Sequence, residues 1–349
     1  MDDTPGRDTR ARKDRNSVLV DRQVAATTRY LVTWHDAVTA FWLAVGLAAA
    51  LLTQQQRWWI CRGIGRVASR GRRHDARERI ARLGNLPAEQ AASVDRFLEA
   101  FRFAATFNVV RALVRGPDFQ IACRGLEHLE AALARGRGAI LWVSDFAGAG
   151  EVTKIALSRA GHRVKHLSRV EHGFSASVVG IRWLNPIRLR LERRYLDERV
   201  VFDRSRPSAS MLRLARHLRA NGVVSIAAGA HEGRTLVRAR FLRGIISLAV
   251  GAPRLAAMTD ARLIPVFTVA RPGVPGTFDV IVEPPLQLAA GANEHETLAA
   301  AMAEYLDRLE AQVIRRPEVW VGWTRRDQFA DDSTEGPPTP PRVGTTTAP

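Results

Sequence analysis

Two carboxylates, Asp145 and Glu151, flank a turn of small residues, Ala147-Gly148-Ala149-Gly150. The apolar run Ala139 to Val143 leads into Ser144-Asp145-Phe146, and Glu151 opens an amphipathic stretch to Ala160, so the pattern reads as strand, tight turn and helix start. Ligand sites of open α/β sheets lie beyond the C-terminal ends of strands, and a helix start offers free N–H groups to an anion or oxyanion. Chemistry is therefore expected here. A carboxylate at such a junction can take a proton from a substrate hydroxyl, weakly, because its ordinary pKa is about 3.9. Burial beside a second carboxylate would raise one of the two. A second reading stays open: Asp145 caps the helix through the N–H of Ala147 or Gly148, and Glu151 sits in the first turn, favoured by the helix dipole.

Other polar groups fall at neighbouring strand ends. His166 and Arg169 close the next strand, with Arg169 a candidate phosphate or carboxylate binder. His166-Leu167-Ser168-Arg169-Val170-Glu171 is the one literal His-x4-Glu, but it crosses a strand end and does not sit at a strand–helix junction, so His166 reads as a neighbour of the site. A further strand end carries His231, Glu232 and Arg234, with His231 the best spare imidazole. His172 and Arg182 are weaker candidates of the same kind. No Gly-x4-Gly-Lys-Ser/Thr loop, no Gly-x-Ser-x-Gly elbow and no metal-ligand spacing is found, and Gly136-Arg137-Gly138 precedes a strand where a dinucleotide fingerprint would follow one. No cofactor or metal is expected.

Three separated segments resemble the bacterial lipid A biosynthesis (lauroyl/myristoyl) acyltransferase family, which is lysophospholipid acyltransferase-like. They are Cys123-Arg124-Gly125-Leu126-Glu127-His128-Leu129, the Ala139–Glu151 junction, and Pro317-Glu318-Val319-Trp320-Val321-Gly322-Trp323-Thr324-Arg325-Arg326, in the family's order, within a match over roughly residues 30–328. The family's catalytic pair is His-x4-Glu. Here Asp145 stands in place of the His, the spacing to Glu151 is one residue longer, and the small-residue turn replaces the usual Gly-Asn-Trp. The resemblance implies transfer of a fatty acyl chain from an acyl thioester, on acyl carrier protein or coenzyme A, to a hydroxyl of a lipid or glycolipid. Asp145 would replace the base, Glu151 would orient it, and Arg169 or His231 would meet an anionic head group. The resemblance also makes residues 228–234 a site-lining loop. The alternative is a catalytically silent acyl-lipid binder that keeps the fold.

The elements that must position these groups follow from pattern. Residues 23–116 read as helices, with Val94, Phe97, Leu98, Phe101, Ala104, Ala105, Val109 and Leu113 at helical spacing. From 126 the pattern alternates: helix 126–134, strand 138–144, helix 151–160, strand 163–168, an arginine-rich connection 183–199, strand 200–203, helix 208–220, strand 222–228, helix 245–258, strand 262–268, strand 278–283 and helix 295–315. Such alternation predicts an α/β fold with a mostly parallel sheet flanked by helices over 117–328. Residues 1–22 and the Pro/Thr-rich tail 329–349 read as disordered.

Composition sets the partners. The chain has 349 residues, 46% hydrophobic, and a formal net charge of +17, with 52 Lys and Arg of which only Lys13, Lys154 and Lys165 are lysine. A balance this basic favours an anionic membrane surface or an acidic carrier protein. Aromatic residues make up 7% and are not interleaved with the basic runs, so no nucleic-acid partner is expected. Cys61 and Cys123 are too few for a disulfide framework, which suits a reducing compartment. Ala37 to Leu52 is an apolar run of 16 residues, roughly 24 Å as a helix, short of the roughly 20 residues a span needs. Trp58, Trp59 and Arg57, Arg62, Arg66, Arg70, Arg72 and Arg73 follow it. The run reads as an interfacial helix at the cytoplasmic face of the inner membrane, peripheral or held by that one helix.

Overall fold

The computed structural model describes residues 18–21, 30–70, 74–203, 206–229, 235–271, 273–288, 294–325 and 329–330. His231, Glu232 and Arg234 lie outside the described residues, as do Arg72, Arg73 and Arg326.

A short strand β1 (Val18–Asp21) comes first, inside the stretch whose composition reads as disordered. Helices α1 (Trp34–Ala49), α2 (Gln54–Arg70), α3 (His74–Gly84) and α4 (Ala88–Arg115) follow. The α/β part runs β2 (Gln120–Arg124), α5 (Leu126–Ala134), β3 (Ala139–Val143), α6 (Ala149–Arg159), β4 (Val164–Ser168), α7 (Asn185–Arg193), β5 (Leu196–Val201), α8 (Pro207–Arg219) and β6 (Val223–Ala227). It continues with β7 (Thr235–Phe241), β8 (Gly244–Ala249), α9 (Gly251–Thr259), β9 (Arg262–Ala270), β10 (Thr277–Val282), α10 (Glu294–Arg315) and β11 (Phe329–Ala330).

Seven strands form the main sheet in the order β2-β10-β9-β3-β6-β4-β5. The run β9-β3-β6-β4-β5 is parallel throughout; β10 then lies antiparallel to β9, and β2 parallel to β10. The fold is α/β with a mostly parallel sheet flanked by helices. β3, Ala-Ile-Leu-Trp-Val, is buried at every residue, as a central strand covered on both faces must be. A second, antiparallel sheet has the order β1-β7-β8-β11.

Several sequence assignments change: strand 200–203 begins earlier, at Leu196 in β5; β2 and β7 are strands the pattern does not show; and β11, paired with β8, lies inside the tail read as disordered. Residues 245–249 belong to strand β8, and the helix begins only at Gly251. The β7–β8 hairpin turns at Leu242-Arg243, with Leu242 at φ 52, and a short apolar run such as Ile245-Ile246 fits either period, so strand pairing decided it. A π-helical turn, Gly180–Leu184, leads into the arginine-rich connection 183–199, which holds α7 and the start of β5. Its buried positions Asn185, Leu189, Leu191 and Glu192 are too few and too polar to show an apolar stripe.

Gly125 illustrates how the lead-in segment works. It is the residue before α5, with φ 75, and a Cβ there would overlap the Val282 carbonyl oxygen of β10. We expect Gly125→Ala to cost more than about 1 kcal/mol, the usual penalty of a left-handed conformation for a residue with a Cβ, before any clash is added. The check is urea unfolding, with a lower midpoint at unchanged slope.

Candidate active site

Parallel pairing brings four strand ends together. β3 ends at Ser144-Asp145, β6 at Ala228-Gly229, β4 at Arg169 and β5 at Phe202-Asp203. Because α6 carries the chain from β3 past β6 to β4, these ends border one crevice, and a cavity of about 1630 Å³ occupies it. Asp145, Glu151, His166 and Arg169 all line this cavity, as does His172; Arg182 does not, its guanidinium lying 5.7 Å above the Trp183 ring.

Asp145 is held from the far end of the chain. The Val321 N–H donates to its carbonyl at 3.0 Å, the Ala147 N–H donates to the Val319 carbonyl at 2.7 Å, and Phe146 bridges to Trp320. This pairing delivers Arg325, whose Nε and Nη2 each lie 2.5 Å from Asp145 Oδ2. Asp145 does not cap α6. Gly148 is the N-cap, in the left-handed conformation with no side-chain cap bond, so the capping reading is set aside.

Glu151 does not turn toward Asp145. Its carboxylate pairs with the guanidinium of Arg188 on α7. The coupled carboxylates read from the sequence are therefore two separate carboxylate–arginine pairs, which leaves Glu151 no part in orienting Asp145. The small-residue turn makes room for this: a Cβ at Gly150 would sit 2.9 Å from Arg188 Nη2, and one at Gly148 2.6 Å from the Phe278 ring.

Glu192 is the centre of a buried ionic cluster. Its carboxylate accepts from His172 Nε2 at 2.8 Å and lies 3.0 Å from Lys154 Nζ and 3.4 Å from Arg188 Nε. Burial alone would raise its pKa, but Lys154 and His172 outweigh burial and hold it well below the usual carboxylate range. Burial likewise pulls Arg188 down, and Glu151 and Glu192 reverse it. For His166 burial dominates, aided by Lys154, and the imidazole is neutral; its Nδ1 lies 3.3 Å from Ser225 Oγ of the neighbouring strand, not against Glu171.

The loop that follows β4 is clamped. Asn185 Oδ1 accepts from the N–H groups of Phe174 and Ser175 at 2.7 and 2.9 Å, and Ser175 Oγ donates to Asp36 Oδ1 of α1 at 2.5 Å. Burial would raise the Asp36 pKa, but hydrogen bonds from Ser175, Thr33 and Ser177 bring it down to about 2. Asp36 thus ties α1 to the loop bearing Arg169 and His172.

Sequence reading missed Lys154, Arg188, Glu192 and the pairing of Arg325. Glu151/Lys154 and Arg188/Glu192 stand three and four apart, the spacing of one helix face, but α7 was not recognised as a helix.

The model for bacterial lipid A biosynthesis acyltransferases matches residues 23–326. The chain belongs to this family. No curated protein matches it. Among solved structures it is similar to the 1-acyl-sn-glycerophosphate (LPA) acyltransferase PlsC from Thermotoga maritima, at 11% identity over 81% of this chain and 98% of that one, with a TM-score of 0.36. The family sets the broad class: an acyltransferase of lipid biosynthesis acting on lipid substrates.

Removing Arg188 leaves the buried Glu192 and the partly buried Glu151 short of a cation. We expect Arg188→Gln to cost about 3–5 kcal/mol in urea unfolding. A loss under about 1 kcal/mol would mean that Glu151 and Glu192 do not depend on it.

Proposed function

We propose that the chain transfers a fatty acyl group from an acyl thioester, on acyl carrier protein or coenzyme A, to a hydroxyl of a lipid or glycolipid. The observation that carries this reading is the large cavity at the strand ends. Its walls include Leu98, Phe101, Leu255 and Met258, which suit an acyl chain, and its polar end holds the Asp145–Arg325 and Glu151–Arg188 pairs. Arg325 occupies one carboxylate oxygen of Asp145, so that pair serves better to hold a polar head group than to take a proton. Arg169, also on the cavity wall, would meet an anionic group.

The same reading places the reaction at a membrane surface, the cytoplasmic face of the inner membrane. Among the described residues no helix is long and apolar enough to cross a membrane. Instead α1 buries Thr39, Leu43, Gly46 and Ala49, while Trp34, Phe41 and Leu47 on the same helix stay exposed. Leu51, Trp59 and Val67 extend the exposed apolar set, with Arg62 over the Trp59 ring at 5.1 Å. Aromatic and basic residues together suit a lipid headgroup region. Arg57 takes no part, because it is buried against Asp118 at 2.6 Å; Trp58 packs on Phe97.

The test is incubation of the purified protein with radiolabelled acyl carrier protein or acyl-CoA and a total lipid extract. A labelled lipid with either donor is the expected result. Acyl-chain binding without any labelled lipid would overturn the transferase reading in favour of the silent binder.

The membrane arm is separate. Phe41→Ser, Leu47→Gln and Leu51→Gln combined should weaken cosedimentation with anionic phospholipid vesicles at least about tenfold while far-UV circular dichroism stays unchanged, since these side chains are exposed. Raised salt should weaken binding further, because exposed charge attraction is screened within about 10 Å at 0.1 M. Equal binding by wild type and variant would remove α1 as the lipid-facing element.

A further inference from the structure

A neutral imidazole backed by an ionised carboxylate is the usual means of drawing a proton from a hydroxyl near pH 7, and the family position for that imidazole holds Asp145. Asp145 is bound by Arg325 through two nitrogens. The cavity wall does contain imidazoles, His166 and His172, and they differ in the way that matters.

His166 is buried, and among the described residues its ring bonds only the Ser225 hydroxyl; Glu192 acts on it without a hydrogen bond, too weakly to offset burial and Lys154. His172 is about a quarter exposed, and its Nε2 lies 2.8 Å from Glu192 Oε1. An ionised carboxylate can only accept, so Nε2 carries the proton and Nδ1 presents its lone pair. Among the described residues nothing bonds Nδ1. Glu192 is fixed in turn by Lys154 from α6 and Arg188 from its own helix, and Asn185, in the first turn of α7, binds the two N–H groups just after His172 and Gly173. This is the base-plus-orienter arrangement, assembled from the loop after β4 and helix α7.

We propose that His172 is the general base of the acyl transfer and that Glu192 is its positioning residue, so that the function assigned by the family to the residue at 145 has moved to another element of the same cavity. The inference rests on the acyltransferase reading above. In the step itself the acceptor hydroxyl oxygen attacks the thioester carbonyl carbon while its proton passes to His172 Nδ1. The tetrahedral intermediate then collapses with cleavage of the carbon–sulfur bond, and the imidazolium returns the proton to the departing sulfur. An ester and a free thiol result, and Glu192 remains ionised throughout.

The groups facing His172 are Glu192 and Arg188 from α7, Lys154 from α6 and His166 from β4, whose ring centre is 6.1 Å away. Burial lowers the His172 pKa below 6.5, and the bond to Glu192 opposes this only in part. The base is therefore in its active, neutral form at pH 7, and the rate of transfer should fall only as the pH drops below 6.5.

The experiment measures acyl transfer from labelled acyl carrier protein and from acyl-CoA to lipid extract, across pH 5–8, for wild type, His172→Gln and Asp145→Asn. His172→Gln should lose about 10²–10⁴-fold in kcat, the usual worth of a general base, and lose the acid limb of the profile. Asp145→Asn should keep that limb whatever its rate. If His172→Gln stays within threefold of wild type, or if the limb disappears with Asp145→Asn, the proposal is overturned. A second readout does not depend on turnover: modification by diethyl pyrocarbonate, mapped by mass spectrometry. His172 should react faster than His166, and palmitoyl-CoA should protect it. A wild type that transfers nothing, yet shows this protected reaction, removes the transferase reading while keeping the His172–Glu192 pair in an acyl-binding cavity. Absence of reaction at His172 overturns the pair as well.

Discussion

One buried carboxylate, Glu192, organises the centre of this molecule. Removing its charge from water is costly unless cations and hydrogen-bond donors replace the solvent. Lys154 supplies one from α6, Arg188 one from α7, and His172 a donor from the loop after β4. These elements are separate in sequence and must meet with their polar atoms in place, because a missing partner strands the rest. The cluster therefore specifies how α7 lies against α6, and so where Arg188 meets Glu151.

A second constraint joins the ends of the α/β part. The turn at 144–147 and the segment 317–325 share backbone hydrogen bonds on both sides of Phe146, and Arg325 closes on Asp145. Behind this, Trp320 and Trp323 pack at 4.7 Å and the Trp323 indole N–H donates to the Pro317 carbonyl at 2.8 Å. Two buried tryptophans packed on each other, one with its indole N–H bonded, make a rigid support. An arginine on such a support can hold a carboxylate at the mouth of a large cavity without a flexible arm.

The N-terminal helices link this centre to the surface. One side of α1 packs on α4, with Trp42 against Phe103 at 4.9 Å, while its exposed side is apolar. Asp36 on the same helix bonds the loop that carries His172. A single helix thus couples the face we assign to lipid with the wall of the cavity.

Much of the α/β pattern was legible because it depends on local chemistry. The buried run Ala139–Val143 reads as a central strand, α5 and α8 show in helical spacing, and the junction Ser144–Glu151 announces a strand end followed by a helix start. The site was legible in part: Asp145, Glu151, His166 and Arg169 do reach one cavity. Helix α7 was not, since its inward face carries Asn185 and Glu192, charges and amides whose burial makes sense only beside Lys154, Arg188 and the loop they bind. Residues 245–249 were misread because a short apolar segment has no period of its own until β7 pairs with it. Family, alternating architecture and the strand-end position of Asp145 and Glu151 follow from hydrophobic spacing and from motif residues close together in the chain. Which groups pair there is set by packing. Asp145 meets an arginine 180 residues away, and His172 meets Glu192 through a helix and a turn. Such contacts are set by strand order and packing, which no local pattern records.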